Sequence, residues 1–313
     1  KVSTMIDFRY HLVSLISVFL ALAVGVVLGA GPLQNSLGTA LNDQVTALRE
    51  DRNATQTKLE QTETAVNERD SYITQAAASL LPGSLASKNV ALVLLPEAKA
   101  EDADAVATQL KTAGASVTGR VSLTTTWVDL SRESYRSTFS GQIQGNLGST
   151  GSKDANGILG EGLAKALTSN DDSSRALMDL LSVDTSGTPF VTVDSTPTGP
   201  AEMIVVVGPR PQAASAKQAT VEASPGQDPK AWAKALAGTA SRATTVVVGS
   251  ADGDDNVVAV IRSEGEKITT VDSVGQIAAS VSTPLALAST QAGTVGHYGF
   301  DKGADAVMPP VTK

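Results

Sequence analysis

Cysteine is absent from the 313 residues of this chain. Its absence excludes disulfide bonds, thiolate metal sites and cysteine nucleophiles. Other soft metal ligands are scarce, because the chain holds four methionines and two histidines. A site that depends on sulfur or imidazole ligands therefore has few residues from which it could be built.

Positive charge and aromatic residues are also in short supply. The chain carries 24 Lys and Arg against 32 Asp and Glu, a formal net charge of −8, and aromatics make up 4% of it. Nucleic-acid binding rewards a basic surface that neutralises phosphates. The composition therefore predicts that nucleic acid is not a partner.

Signatures of common catalytic sites are missing. No G-x-S-x-G elbow occurs, and no predicted strand is followed by G-x-G-x-x-G or by a phosphate loop that ends in GK[ST]. The turn at 209–211 is Pro-Arg-Pro, which has few free N–H groups to hold a phosphate. We predict that the chain is not an enzyme and that it needs no cofactor.

One long apolar run stands near the start, at residues 12–30, and no second run of comparable length follows. Nineteen uncharged residues form a helix of roughly 28 Å, which matches the hydrocarbon core of a bilayer. We predict a transmembrane helix at 12–31, a cytoplasmic N-terminus at 1–11 and an extracytoplasmic C-terminal part, with a cleaved signal peptide as the alternative. Small residues recur every four positions and predict a helix-packing face in the membrane: Ala21, Gly25 and Gly29.

Residues 33–81 show a seven-residue apolar repeat without proline or glycine from Thr39 to Leu81. This pattern predicts one long coiled-coil helix that needs a helical partner: its own copy, another protein or the globular domain. Arg52 and Arg69 fall at core positions and indicate either a register-setting role or a heterotypic partner, because a self-symmetric seam would bring like charges together. The residues predicted to bind the partner are Leu41, Val45, Leu48, Leu59, Val66 and Ile73.

From residue 88 the pattern changes to short apolar runs that alternate with amphipathic stretches. Runs such as 89–96, 203–208 and 244–250 are typical of strands buried on both faces of a parallel sheet. We predict a mostly parallel, open α/β domain over 88–295, with a Gly/Ser/Asn-rich loop at 141–157 and a C-terminal tail at 296–313.

Two places offer weak metal candidates. The turn after the strand at 244–250 carries three aspartates, which are usually solvated although they suit a hard cation. His297 and Met308 lie in the tail and could meet there, but single methionines most often fill apolar cores. The ligand inventory therefore leaves copper conceivable but unsupported, and we predict no metal site.

Three stretches resemble the actinobacterial MctB family, named for mycobacterial copper transport protein B. They are the anchor segment VSLISVFLALAVGVVLG (13–29), VSLTTTWVD (121–129) and the tail motif Gly296-His297-Tyr298-Gly299. The resemblance runs through nearly the whole chain in the same order of anchor, coil, α/β region and tail. It implies copper efflux across the envelope, or the cell-separation role of the corynebacterial branch, SteB. In that branch the protein pairs with a SteA-like membrane protein and controls peptidoglycan hydrolases such as RipA.

The residues favour the second of these roles. A long helix with an apolar stripe is a binding surface, whereas a cysteine-free chain with few Met and His is a poor metal carrier. We therefore expect a single-pass scaffold or adaptor of the cell envelope that binds partners through its coiled coil and forms homo- or hetero-oligomers. Copper efflux is the alternative.

Overall fold

The computed structural model describes residues 8–30, 32–183, 189–211 and 226–311. The chain divides between Glu68 and Arg69 into two compact units. Gly31, residues 1–7 of the predicted cytoplasmic segment, and part of the loop after residue 208 lie outside the described residues. Each unit is considered by itself below.

The first unit is helical. Helix α1 is Phe8–Ala30 and helix α2 begins at Pro32 and runs to Leu80. Within α1, Arg9–Gly29 has a mean hydropathy of 2.7 and none of its residues is buried. A helix of this length and composition is long and apolar enough to span a membrane, which agrees with the predicted anchor.

The second unit is built on a seven-stranded sheet with the order β3-β2-β1-β4-β5-β6-β7. All neighbouring strands are parallel except β2 and β3. The strands are β1 Asn89–Leu94, β2 Ser116–Leu123, β3 Val191–Ser195, β4 Met203–Val207, β5 Thr244–Val248, β6 Thr269–Val271 and β7 His297–Tyr298. From β1, the strands β2 and β3 are added on one side and the strands β4 to β7 on the other, so the switch point of the sheet lies between β1 and β4, as in doubly wound folds. The predicted mostly parallel α/β sheet is confirmed.

Helices cover both faces of this sheet. The helices that follow α2 are α3 Ala100–Thr112, α4 Glu133–Leu147, α5 Ala155–Thr168, α6 Asp172–Ser182, α7 Pro229–Arg242, α8 Val257–Glu264 and α9 Ile277–Gln291. One apolar cluster joins α4 to α8 to one face, and a second joins α3, α9 and the end of α2 to the other. Strands β4 and β5 are sandwiched between the two clusters, which explains their uninterrupted valine-rich sequences.

Helices α5 and α7 meet backbone to backbone. A Cβ atom at Gly160 would overlap the carbonyl of Ala235, and one at Gly238 would overlap the carbonyl of Gly157. The hydroxyl of Thr239 donates a hydrogen bond to the Gly160 carbonyl across this contact, at 3.2 Å. Glycine is therefore required here by the close approach of two helices.

Two segments differ from the sequence-based expectation. The predicted loop 141–157 is helical up to Leu147 and again from Ala155. The first part is helical because the buried residues Phe139, Ile143 and Leu147 recur every four positions and give the segment an apolar face. Residues 296–313, predicted as a C-terminal tail, contribute the seventh strand through His297 and Tyr298. A two-residue strand has no periodicity from which it could be recognised.

These contacts predict opposite effects for two glycine-to-alanine substitutions. Gly238→Ala should destabilise the protein by about 2 kcal/mol or more, because the added methyl must push α5 and α7 apart. Gly141→Ala on α4 should stabilise it by roughly 0.5–1 kcal/mol, because no described atom lies within 4 Å of the new methyl. Thermal unfolding of the full chain in detergent, followed by the near-UV circular dichroism of Trp127 and Trp232, measures both. Equal effects of the two substitutions would contradict this account.

Candidate functional site

The apolar stripe of α2 is exposed over most of its length. Leu48 is 62% exposed and Val66 is 37% exposed, although both are aliphatic. Large exposed apolar residues at heptad spacing are typical of a surface that pairs with another helix. We call the following five residues the exposed seam: Leu41, Val45, Leu48, Leu59 and Val66.

Arg52 and two threonines fill the remaining positions of this face. The Thr55 hydroxyl donates to the carbonyl of Asp51, and the Thr62 hydroxyl donates to the carbonyl of Lys58, each at 2.8 Å. A hydroxyl that is already bonded within its own helix does not lose a hydrogen bond when a partner covers it. The two threonine positions can therefore be buried against another helix at little polar cost.

The sixth predicted partner-binding residue lies in a different environment. Ile73 is partly buried and packs against the apolar cluster of its own sheet domain, beside the buried Ala77 and Leu81. Arg69, predicted at a core position, pairs with its neighbour Asp70 at 3.1 Å. The stripe therefore changes its role near Arg69: beyond that point it anchors α2 to the sheet.

The predicted membrane-packing face lies on α1. In the described part of the chain, no atom lies within 4 Å of a Cβ built at Gly25 or Gly29. Ala21, one turn before Gly25, is exposed as well. The three small residues thus form an open face to which a second membrane helix could come close.

The carboxyl edge of the sheet is the usual ligand site of a doubly wound fold, at the point where the strand order reverses. Here Arg210, just after β4, donates to both carboxylate oxygens of Asp102, at 2.6 and 2.8 Å, and pairs with Glu101 at 2.8 Å. Asp102 is buried in the first turn of α3, and Gly275 leaves room for the Arg210 side chain. The ion pair between Arg210 and Asp102 therefore lies beside the point where the strand order reverses.

The aspartate-rich turn after β5 is internally bonded. Asp252 accepts hydrogen bonds from Ser250 and, at 2.7 Å, from the amide of Asn256. Asp301 approaches from the C-terminal segment, and burial together with the nearby Asp272 and Asp252 charges raises its pKa. Across residues 8–30, 32–183, 189–211 and 226–311, no group of three or more His, Cys, Asp or Glu side chains is arranged to hold a metal ion.

His297 is bound into the sheet edge. Its Nδ1 atom lies 2.9 Å from the Thr270 hydroxyl, and desolvation, with a contribution from Arg262, lowers the pKa of the imidazole. Met308, its suggested companion, is 46% exposed. One imidazole nitrogen is therefore engaged by Thr270, which gives the histidine a structural contact at the sheet edge.

Sequence reasoning missed the ion pair that holds the C-terminal segment. Arg262 and Asp272 are both buried and lie 3.0 Å apart, and Asp272 also accepts from the backbone N–H groups of Phe300 and Asp301, at 2.7 and 3.2 Å. Gly299 has φ +132 and a Cβ there would overlap the Asp272 carboxylate. The Gly-His-Tyr-Gly motif therefore packs around a buried ion pair. In the sequence, the glycine after the tyrosine was the only feature that pointed to this ion pair.

The second quoted motif is structural as well. Trp127 in the stretch 121–129 is fully buried, and its indole N–H donates to the Phe190 carbonyl at 2.8 Å. Its ring stacks on Trp232 with centroids 6.1 Å apart. This stretch therefore serves the packing of the domain, which leaves the exposed seam as the candidate functional surface.

Comparison with known proteins agrees with the resemblance. The family described as "Copper transport outer membrane protein, MctB" matches residues 5–309. Proteins named "Copper transporter MctB" from Mycobacterium tuberculosis and Mycobacterium bovis are 30% identical to the chain over 328 residues, which cover 97% of this chain and 99% of each relative. The protein of that name from Mycobacterium leprae is also 30% identical, over 98% of this chain and 100% of its own length. The chain belongs to the MctB family.

Proposed function

We propose that this protein is a single-pass, membrane-anchored adaptor of the cell envelope that recruits partner proteins through α2. The observation that carries the proposal is the exposed seam. In this proposal α1 spans the membrane, its N-terminus lies in the cytoplasm and the sheet domain lies outside the cytoplasm. No catalytic step and no cofactor is assigned to the chain.

The physical argument is the cost of leaving the seam uncovered. Burying one leucine or valine side chain contributes roughly 1.5–3 kcal/mol, and the seam holds five such residues. Most of the stability of a helix in a protein comes from packing an apolar face, not from helix propensity. Among the described residues, Ile73 and Ala77 near the C-terminal end of α2 pack against the apolar cluster of the sheet domain. The rest of the stripe suits a helical partner.

The family resemblance suggests which partners these are. The resemblance to the cell-separation branch of the family implies pairing with a SteA-like membrane protein and control of a peptidoglycan hydrolase such as RipA, and we propose these as partners of α2. We propose that the chain regulates hydrolases of this class during cell separation.

A second candidate function is copper transport, because the curated relatives are named copper transporters. The residues of this chain offer copper little, since it has no cysteine, and His297 already contacts Thr270. Copper would then be handled as cargo by a partner or by ligands spread over several copies.

The adaptor proposal predicts that charge placed in the exposed seam abolishes partner recruitment. Leu48→Glu combined with Leu59→Glu should reduce co-purifying envelope proteins at least tenfold, because buried carboxylates would oppose helix pairing. The matched control is Thr57→Glu combined with Thr64→Glu, which adds the same charges to the outer face of the same helix. Pull-down of the full chain from native membranes, read by mass spectrometry, measures the loss. Retention of the same partners by the seam variant would contradict the proposal.

The two candidate functions predict different copper behaviour. We expect the full chain in detergent to show no sub-micromolar Cu(I) affinity in competition with a chromogenic chelator, because soft ligands are lacking. His297→Ala and Met308→Leu should leave both this result and the copper tolerance of the cells unchanged. Tight binding that either substitution abolishes would favour transport over the adaptor role.

A further inference from the structure

We infer that the exposed seam pairs with the seam of a second copy of this chain, as a parallel, in-register, two-stranded coiled coil over residues 41–66. The inference rests on the proposed function in one respect: α1 must anchor both copies in the same membrane. It goes beyond that function because it names the occupant of the seam, its direction and its register.

The anchor determines the direction of pairing. Each copy of α2 follows its own α1 in sequence, separated by Gly31 alone. Two copies inserted with the same topology therefore start their α2 helices at the same side of the membrane and run in the same direction. The open face at Gly25 and Gly29 lets two such anchors approach each other closely. Parallel pairing places each seam residue beside its own counterpart.

The charges that flank the seam are compatible with this alignment. The first core positions of the heptad are Val45, Arg52, Leu59 and Val66. In a parallel pair, the residue just before such a position contacts the residue of the partner helix that lies five positions later in the sequence. Lys58 then meets the partner's Glu63, an attractive pair. The other contacts are between a charged residue and a neutral one, and none joins like charges: Gln44 with the partner's Arg49, Asp51 with the partner's Gln56, and Ala65 with the partner's Asp70.

Arg52 becomes a register-setting residue in this arrangement. A first core position packs into a hole whose wall includes the partner residue one position earlier, which here is the partner's Asp51. Each Arg52 therefore lies next to the opposite charge of the partner's Asp51. A symmetric seam brings two arginines together, but the two aspartates compensate their charge. A shift by one heptad would move Arg52 against an aliphatic layer and away from Asp51, which disfavours other registers.

The extent of the seam also suits a self-contained coil. Residues 41–66 form about 26 residues, or roughly 39 Å of helix. Thr55 and Thr62 supply the weaker layers with hydroxyls that are already bonded. The seam ends where Ile73 turns to its own domain. Envelope partners would then bind the paired helices, so that seam variants remove the coil and the recruitment surface together.

The absence of cysteine makes a cross-linking test clean. Thr62→Cys and Leu48→Cys place a thiol at a core position of the parallel pair, where the two Cα atoms lie within the distance that a disulfide spans. Thr57→Cys and Thr64→Cys are the matched outer-face controls. After diamide oxidation of native membranes, a non-reducing gel should show at least fivefold more double-mass product for the core positions. Equal cross-linking at core and outer positions would overturn the inference, as would a core product of any other mass.

A charge swap tests the register in the Thr62→Cys background. Adding Asp51→Arg should reduce the double-mass product at least threefold, because four positive charges would then meet in one layer. Adding Arg52→Asp to that variant should restore it. An unchanged yield with Asp51→Arg would refute the in-register pairing. Pull-down of partners is read separately, so a coil that cross-links without recruiting anything contradicts the proposed function and leaves this inference standing.

Discussion

The rest of this structure depends on how the apolar stripe of α2 is divided between a part that is buried against the sheet domain and a part that is exposed. A polar helix of 49 residues cannot be stable through propensity alone, so its apolar face must be covered. The last turns are covered by the sheet domain, where Ala77 and Leu81 are buried. In the part of the first unit that the structure describes, the residues of the exposed seam remain exposed. The same pattern therefore provides an intramolecular contact at one end and an exposed apolar surface along the rest.

The sheet domain shows why fold and function must be argued separately. Its strand order and its switch between β1 and β4 are those of a doubly wound fold that often binds nucleotides. Here the Arg210–Asp102 pair lies beside the switch point, and the buried Arg262–Asp272 pair holds the C-terminal segment on the neighbouring edge. Removing one partner of the buried Arg262–Asp272 pair would leave an uncompensated charge. Both ion pairs therefore tie segments of the domain together at the carboxyl edge of the sheet.

Local patterns made much of this architecture predictable from the sequence. Buried parallel strands are continuous apolar runs, as in Met203–Val207, and a membrane-length helix is a longer run of the same kind. Pairings between distant residues could not be predicted in this way, because nothing near Arg262 identifies Asp272 as its partner. Nor could the pattern tell which part of the α2 stripe is covered internally: Ile73 and Val66 occupy equivalent heptad positions, and only the fold separates them.

The direction imposed by the anchor changes how the charges of the seam are interpreted. Considered alone, Arg52 at a core position argues against self-pairing, because the orientation and register of a free helix are unknown. Tethering two copies at the same end makes parallel pairing the accessible arrangement, and only then does the neighbour of Arg52 matter, since the partner's Asp51 borders the layer that it enters. Arg52 therefore disfavours a dimer of unspecified register, but it favours the in-register alignment of two copies that are tethered at the same end. In the dimer that we infer, membrane anchoring and helix pairing are therefore parts of one physical argument.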